Sequence, residues 1–209
     1  MSTSSLAFDA LVVHNVLGSS FLDVGCGLGK WGFLLKKYRW ADNPESKPPT
    51  VTGIDLFEPH IKSLRAQNIY DSLAVGSATS LPFKDKSFDS TIACEVIEHL
   101  TEPEGLMLIS ELRRVSRLSF VVSTPNFHCL RGAGRTPDGL NPFEAHRHNL
   151  LYKEFRSLGF TQIAGVGLLA PSHKIRQTFA SLGFYFPRFS WSMLGFWFAD
   201  GKKRVLETV

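Results

Sequence analysis

Glu95, Glu98 and His99 fall at i, i+3 and i+4 in Cys94-Glu95-Val96-Ile97-Glu98-His99-Leu100. A helical turn there would put two carboxylates and an imidazole on one face. Such a set could take a proton from a hydroxyl or amine near neutral pH, and histidine is the side chain best matched to that task. With a further histidine from elsewhere it could instead ligate a divalent metal. Glu144-Ala145-His146-Arg147-His148 supplies two, His146 and His148. By position, His99 is the first candidate base and His146 and His148 are the second.

A different chemistry is written in Phe21-Leu22-Asp23-Val24-Gly25-Cys26-Gly27-Leu28-Gly29-Lys30. An apolar strand runs into an acid, Asp23, and then into three alternating glycines around Cys26. Glycines at every second position let the backbone turn tightly and approach a ligand closely. A helix beyond them would aim its free N–H groups at the ligand's anionic end. Asp55 closes an apolar run about one βαβ unit later, where an acid can accept hydrogen bonds from both hydroxyls of a ribose. The dinucleotide fingerprint would need glycine at position 30, which is lysine.

These residues need elements to hold them, and the hydrophobic patterning provides a β-α alternation. Helical spacing covers Leu6 to Leu17, Trp31 to Tyr38, Pro59 to Gln67, Pro103 to Val115 and Asn149 to Leu158. Strands are predicted at Phe21 to Val24, Val51 to Leu56, Ser72 to Gly76, Phe88 to Cys94, Ser119 to Ser123 and Gly159 to Leu169. Proline at the first turn of the Pro103 helix costs nothing, because that N–H has no helical partner. Ala41 to Thr50, with three prolines and both charge signs, reads as an exposed loop. The alternation predicts an α/β fold with a mostly parallel sheet and helices on both faces, formed by residues 1–209 as a single domain.

Three segments lie outside the simple repeat: an N-terminal helix within residues 1–18, a long loop at 124–148 on the substrate side, and a C-terminal helix and strand within 171–209. A loop as long as 124–148 in a compact domain is commonly functional. Residues 182–199 are rich in aromatics (Phe184, Tyr185, Phe186, Phe189, Trp191, Phe196, Trp197, Phe198) and interrupted by Pro187 and Arg188. They read as a pair of core strands, with an apolar substrate wall, a dimer contact or a membrane-surface contact as the sharper alternatives.

The 209 residues carry 44% hydrophobic and 20% charged side chains and a net charge of +4, which fits a globular chain with a solvated basic face. Three cysteines (Cys26, Cys94, Cys129) without a C-x-x-C pattern argue against a disulfide framework and for a reducing, cytoplasmic setting. Met1-Ser-Thr-Ser-Ser-Leu lacks the basic-then-apolar pattern of a signal peptide.

With Asp23 and the glycines at 25, 27 and 29, the chain resembles motif I of the class I S-adenosylmethionine-dependent methyltransferases. Gly76-Ser77-Ala78-Thr79-Ser80-Leu81-Pro82-Phe83 and Ser87-Phe88-Asp89 resemble the group that includes ubiquinone and menaquinone biosynthesis enzymes. The resemblance implies a Rossmann-like, seven-stranded fold. It also implies an S-adenosyl-L-methionine site built from Asp23, Gly25, Cys26, Gly27, Gly29, Asp55, Leu56, Ser77, Ala78 and Glu95. Where the family commonly has an acid for the adenine amino group, this chain has Ser77.

The implied activity is methyl transfer to the oxygen or nitrogen of a small-molecule or lipid-like acceptor. Glu95, Glu98, His99 and a later histidine, with Ser123-Thr124-Pro125-Asn126, also resemble the metal-dependent RNA 3′-terminal 2′-O-methyltransferases. The same E-x-x-E-H-L run occurs in metal-free members of the fold, and no metal is assigned. A nucleic-acid acceptor is the less favoured alternative, and a cofactor-holding protein without catalysis is the other. Asn141-Pro142-Phe143-Glu144-Ala145-His146-Arg147-His148, followed by Phe155 to Phe160, resembles a set of prokaryotic methyltransferases and implies that His146, Arg147 and His148 face the transferable methyl.

Overall fold

The computed structural model describes residues 7–38, 45, 47–126, 132–148, 150–166, 187–190 and 192–203. A seven-stranded sheet organises them. Its strands are β1 (Ser20–Val24), β2 (Thr50–Asp55), β3 (Ser72–Val75), β4 (Phe88–Cys94), β5 (Ser116–Pro125), β8 (Gln162–Val166) and β9 (Ser192–Phe198). The spatial order is β3-β2-β1-β4-β5-β9-β8. Every pair from β3 to β5 is parallel, whereas β9 is antiparallel to both β5 and β8. The order reverses between β1 and β4, and such a switch point opens a crevice at the strand carboxyl ends.

Alternation along the strands sends side chains to two cores. Phe21, Ile92, Val121 and Leu194 enter one, with Leu11, Val12, Ile61 and Leu64. Leu22, Val24, Ala93, Phe120 and Val122 enter the other, with Leu108, Leu112 and Phe155. Helices α1 (Ala7–Asn15), α2 (Lys30–Phe33) and α3 (Glu58–Arg65) therefore cover the first face. Helices α4 (Glu102–Val115) and α5 (Tyr152–Ser157) cover the second. The expected doubly covered sheet is present, and its side-chain period of two explains why each strand feeds both cores.

Local chemistry sets several boundaries. Thr101 and Glu104 form a reciprocal capping box at the start of α4, with the Thr101 N–H donating to Glu104 Oε2 at 2.8 Å. The predicted helix at Trp31 to Tyr38 is instead a short α-helix that widens into a π-turn at Leu34–Tyr38. The fifth strand exceeds its predicted span at both ends, because Ser116 and Pro125 also pair with neighbouring strands. The loop at 124–148 holds a hairpin, β6 (Gly134–Thr136) with β7 (Gly139–Asn141), followed by a 3-10 turn at Pro142–Glu144.

In the aromatic segment, the described part is a 3-10 turn, Pro187–Phe189, and the single strand β9. Phe196 and Phe198 are buried and Trp197 stacks on Phe120 at 5.2 Å. Phe184, Tyr185, Phe186 and Trp191 lie outside the described residues, as do Cys129, the predicted C-terminal helix and half of the Ala41 to Thr50 loop. Among the described residues, no helix is long and apolar enough to cross a membrane.

Candidate active site

A cavity of about 470 Å³ opens at the carboxyl ends of β1, β2 and β4. That is within the rough 300–1,000 Å³ range of small-molecule sites. Its floor is the glycine loop. The N–H groups of Gly25 and Cys26 both donate to the Ile54 carbonyl, at 2.8 and 3.1 Å, and Gly29 N–H donates to the Cys26 carbonyl at 2.9 Å. All three glycines have positive φ: +70° at Gly25, +50° at Gly27 and +88° at Gly29. Their surroundings differ. A Cβ on Gly25 would stand 2.5 Å from Val96 Cγ2 and one on Gly29 would stand 2.6 Å from Leu64 Cδ2, whereas one on Gly27 would meet nothing nearer than 3.9 Å among the described residues. Gly27 thus leaves the space a ligand needs, while Gly25 and Gly29 permit close packing of the protein itself.

Asp55 fixes this loop from the end of β2. Its Oδ2 accepts the Gly27 N–H and its Oδ1 accepts the Phe57 N–H, both at 2.8 Å. Leu56, Ser77 and Ala78 line the same side of the cavity. The Ser77 hydroxyl is held at 2.8 Å by the Thr79 hydroxyl and accepts the Thr79 N–H at 3.2 Å. The segment beyond is clamped by Arg114, which donates to the Leu81 and Phe83 carbonyls at 3.0 and 2.8 Å and pairs with Glu111 and Asp85.

Asp23 and Cys26 do not line the cavity. Asp23 is fully buried beneath the loop, where it accepts the Tyr70 hydroxyl at 2.6 Å; that hydroxyl accepts the Gly32 N–H at 3.2 Å. Burial raises the Asp23 pKa to about 7 against the opposing Tyr70 hydrogen bond. Burial also pushes the Cys26 thiol far above its usual range. Strand alternation explains the placement, since Asp23 shares Phe21's face of β1. Gly29 likewise faces Leu64 and Ile69 rather than the cavity.

At the far end stands the acid–histidine turn. Glu95 has φ +57°, a left-handed conformation unusual for a side-chain-bearing residue. It is held there by Ser123, whose carbonyl and hydroxyl accept the Glu95 N–H, each at 3.1 Å, while the hydroxyl donates to Glu95 Oε1 at 2.7 Å. Burial lifts Glu95 to about 7, and burial followed by the charge of Glu95 lifts Glu98 well above its ordinary value. The predicted helical turn is a 3-10 turn, Ile97–His99.

The 142–148 strap is stitched onto this turn. The Arg147 and His148 N–H groups donate to the Glu98 carbonyl at 2.8 and 3.2 Å, and His99 Nδ1 stands 3.3 Å from the Ala145 carbonyl. His99 and His146 meet edge to face, with ring centroids 5.0 Å apart. Ligand atoms of Glu98, His99 and His146 all lie within 4.8 Å of one another. His148 turns away to a small separate pocket with Ile97 and Leu150.

Sequence reasoning missed His60 and Ser192, and it placed Asn141, Phe143 and Glu144 on the substrate-side loop without giving them a role; all five line the cavity. Asn141-Pro142 is a turn signal, and the Asn141 side chain accepts the Phe143 N–H at 3.0 Å. Ser192 carries no local signal, because β9 reaches the cavity only through sheet pairing with β5.

Residues 22–118 match a family described as "Methyltransferase domain". A probable S-adenosylmethionine-dependent methyltransferase of Mycolicibacterium smegmatis is 32% identical over 66% of this chain and 49% of its own length. A demethylmenaquinone methyltransferase of Staphylococcus haemolyticus is 32% identical over 49% of this chain and 41% of its own. The chain thus spans about half or less of the length of these curated relatives. A crystal structure of an S-adenosylmethionine-dependent methyltransferase from Methanosarcina mazei superposes with a TM-score of 0.56 at 19% identity, covering 88% of this chain and 95% of that one. The β3-β2-β1-β4-β5-β9-β8 sheet is the fold of the class I S-adenosylmethionine-dependent methyltransferases, and residues 22–118, which hold the glycine loop braced by Asp55, match the methyltransferase-domain family.

Proposed function

We propose that the protein transfers a methyl group from S-adenosyl-L-methionine to an oxygen or nitrogen of a small-molecule acceptor. One observation carries this reading: the Asp55-braced Gly27 backbone and the His99–His146 pair line the same cavity. The residues fit the cofactor. Gly27 leaves open space where a Cβ would project, and each oxygen of Asp55, having accepted one backbone N–H, retains capacity for a ribose hydroxyl. The cofactor supplies a methyl group already activated on a sulfonium.

The chain then has two tasks. Gly25, Gly27, Asp55, Leu56, Ser77 and Ala78 hold the donor. The 142–148 strap and the Glu95–His99 turn position the acceptor in line and exclude water, an arrangement able to contribute roughly 7–11 kcal/mol through proximity. His99, with Nδ1 against the Ala145 carbonyl, is oriented to receive the acceptor's proton at its other ring nitrogen, with His146 at its edge. Calorimetry with S-adenosylhomocysteine tests the donor site, and saturable 1:1 binding is expected. Absence of binding by a folded sample defeats the enzymatic reading and the cofactor-holding alternative together. Methyl incorporation from labelled donor into a small-molecule extract separates catalysis from mere cofactor holding.

The convergence of Glu98, His99 and His146 supports a second reading, in which a divalent cation at those side chains binds an acceptor's hydroxyls, as in RNA 3′-end methylation. Transfer undiminished by EDTA sinks it.

A further inference from the structure

His60 follows the first two residues of α3 and lines the cavity beside Asp55. It is 3% exposed, yet neither ring nitrogen has a hydrogen-bond partner among the described residues. Nδ1 stands 3.6 Å from Asp55 Oδ2, beyond hydrogen-bond length. The ring packs edge-on against Phe57, with centroids 4.9 Å apart and planes at 83°. Buried polar atoms are nearly always partnered in native proteins, so an orphaned imidazole on a cavity wall points to a ligand that completes it. A half-turn about Cβ–Cγ keeps the ring's volume while exchanging nitrogen and carbon positions, so the edge facing the cavity can carry an N–H.

Asp55 defines what that ligand group is. An ionised carboxylate only accepts, and each oxygen of Asp55 already takes one backbone N–H. A hydroxyl bound there gives its proton to the carboxylate and leaves its own lone pairs unused. In either protonation state an imidazole has at least one N–H to donate to them. We propose that His60 and Asp55 read one ribose hydroxyl together: the carboxylate accepts its proton and the imidazole donates to its oxygen. The pair would make the site selective for a ribose over a deoxyribose donor, because the deoxy analogue leaves the buried His60 imidazole without a partner and removes the hydroxyl's hydrogen bond to Asp55.

This proposal rests on the S-adenosylmethionine reading of the cavity, and its test separates the two. The 209-residue chain is titrated calorimetrically with S-adenosylhomocysteine and with its 2′-deoxy and 3′-deoxy analogues, using wild type, His60→Leu and His60→Gln. Wild type is expected to bind the parent at least tenfold more tightly than one deoxy analogue. His60→Leu is expected to lose that preference, weakening the parent at least tenfold while leaving that analogue unchanged. It also removes two orphaned polar atoms, so the ligand-free Tm should hold or rise. His60→Gln, which keeps an N–H donor, should recover part of the preference. Equal weakening of all three ligands, or no change with any, overturns the His60 role while the cofactor reading stands. Failure of wild type to bind the parent overturns both. Should His60→Leu not fold, an unaltered parent-to-deoxy ratio near one in wild type overturns the proposal, and retention of the ratio by His60→Gln supports it.

Discussion

The Asp55 carboxylate and the Gly27 amide meet at 2.8 Å across two adjacent parallel strands, joining the acid that closes β2 to the glycine left open to the cavity. Asp55 therefore shapes the loop before any ligand arrives. Asp55→Ala should weaken S-adenosylhomocysteine about 10- to 100-fold, the range expected on losing hydrogen bonds to a charged group. Asp55→Asn should lose less, because one oxygen remains to accept the Gly27 N–H. Calorimetry on both variants checks the order, and equal losses would argue that the charge alone matters.

The three glycines should separate by phenotype. Gly27→Ala keeps its fold at a cost of about 1–2 kcal/mol for a left-handed alanine, because none of the described residues comes nearer than 3.9 Å to the added carbon. Its cofactor binding should be lost. Gly29→Ala drives a methyl against Leu64 and should lower Tm well beyond the Gly27 variant. Paired melting curves and titrations distinguish a ligand clash from a packing clash.

Asp23 should make stability depend on pH. Its pKa is near 3.8 in the unfolded chain and about 7 when buried, so the folded state holds the proton more tightly between those values. Stability from this group is therefore fullest in acid and declines as pH rises from about 4 to 7, by at most roughly 4 kcal/mol. Asp23→Asn, which still accepts the Tyr70 hydroxyl, should flatten that part of the profile. Denaturant melts at pH 5 and pH 8 provide the check, and an unchanged difference between the two pH values would contradict it.

The histidines should divide along the cavity wall. His99→Ala is expected to cut methyl transfer by about 10²–10⁴, typical of losing a positioned base, with little effect on S-adenosylhomocysteine affinity. His146→Ala should cost less, and His148→Ala should be near neutral because its side chain sits in a separate pocket. Full turnover by the His99 variant would move the proton acceptor elsewhere.

Local patterning was enough for much of the architecture. Strand–glycine–helix punctuation, period-two apolar runs and turn residues are properties of neighbouring residues, so β1 to β4, the glycine loop and the Asp55 strand end were legible directly. His99 and His146 were named from their positions, and Leu56, Ser77, Ala78 and Glu95 from the resemblance to the methyltransferases; all six line the cavity. The β6–β7 hairpin was not legible, since its strands are short, its pairing is local and its glycines read equally well as loop.

The sequence by itself determined the kind of fold and the parts from which the site is built, because periodicity and glycine placement act through backbone sterics within a few residues. Only the tertiary structure decided which side chains meet. Alternation turned Asp23 under the loop while Asp55 faces it. Two amides of the strap docked on the Glu98 carbonyl, bringing His146 to His99 and sending His148 away. Packing on Phe57 placed His60 beside Asp55 with its nitrogens unpartnered among the described residues. The strap's docking joins residues nearly fifty positions apart, and even the local placements of Asp23 and His60 acquire their surroundings only when sheet order and burial decide what packs around them.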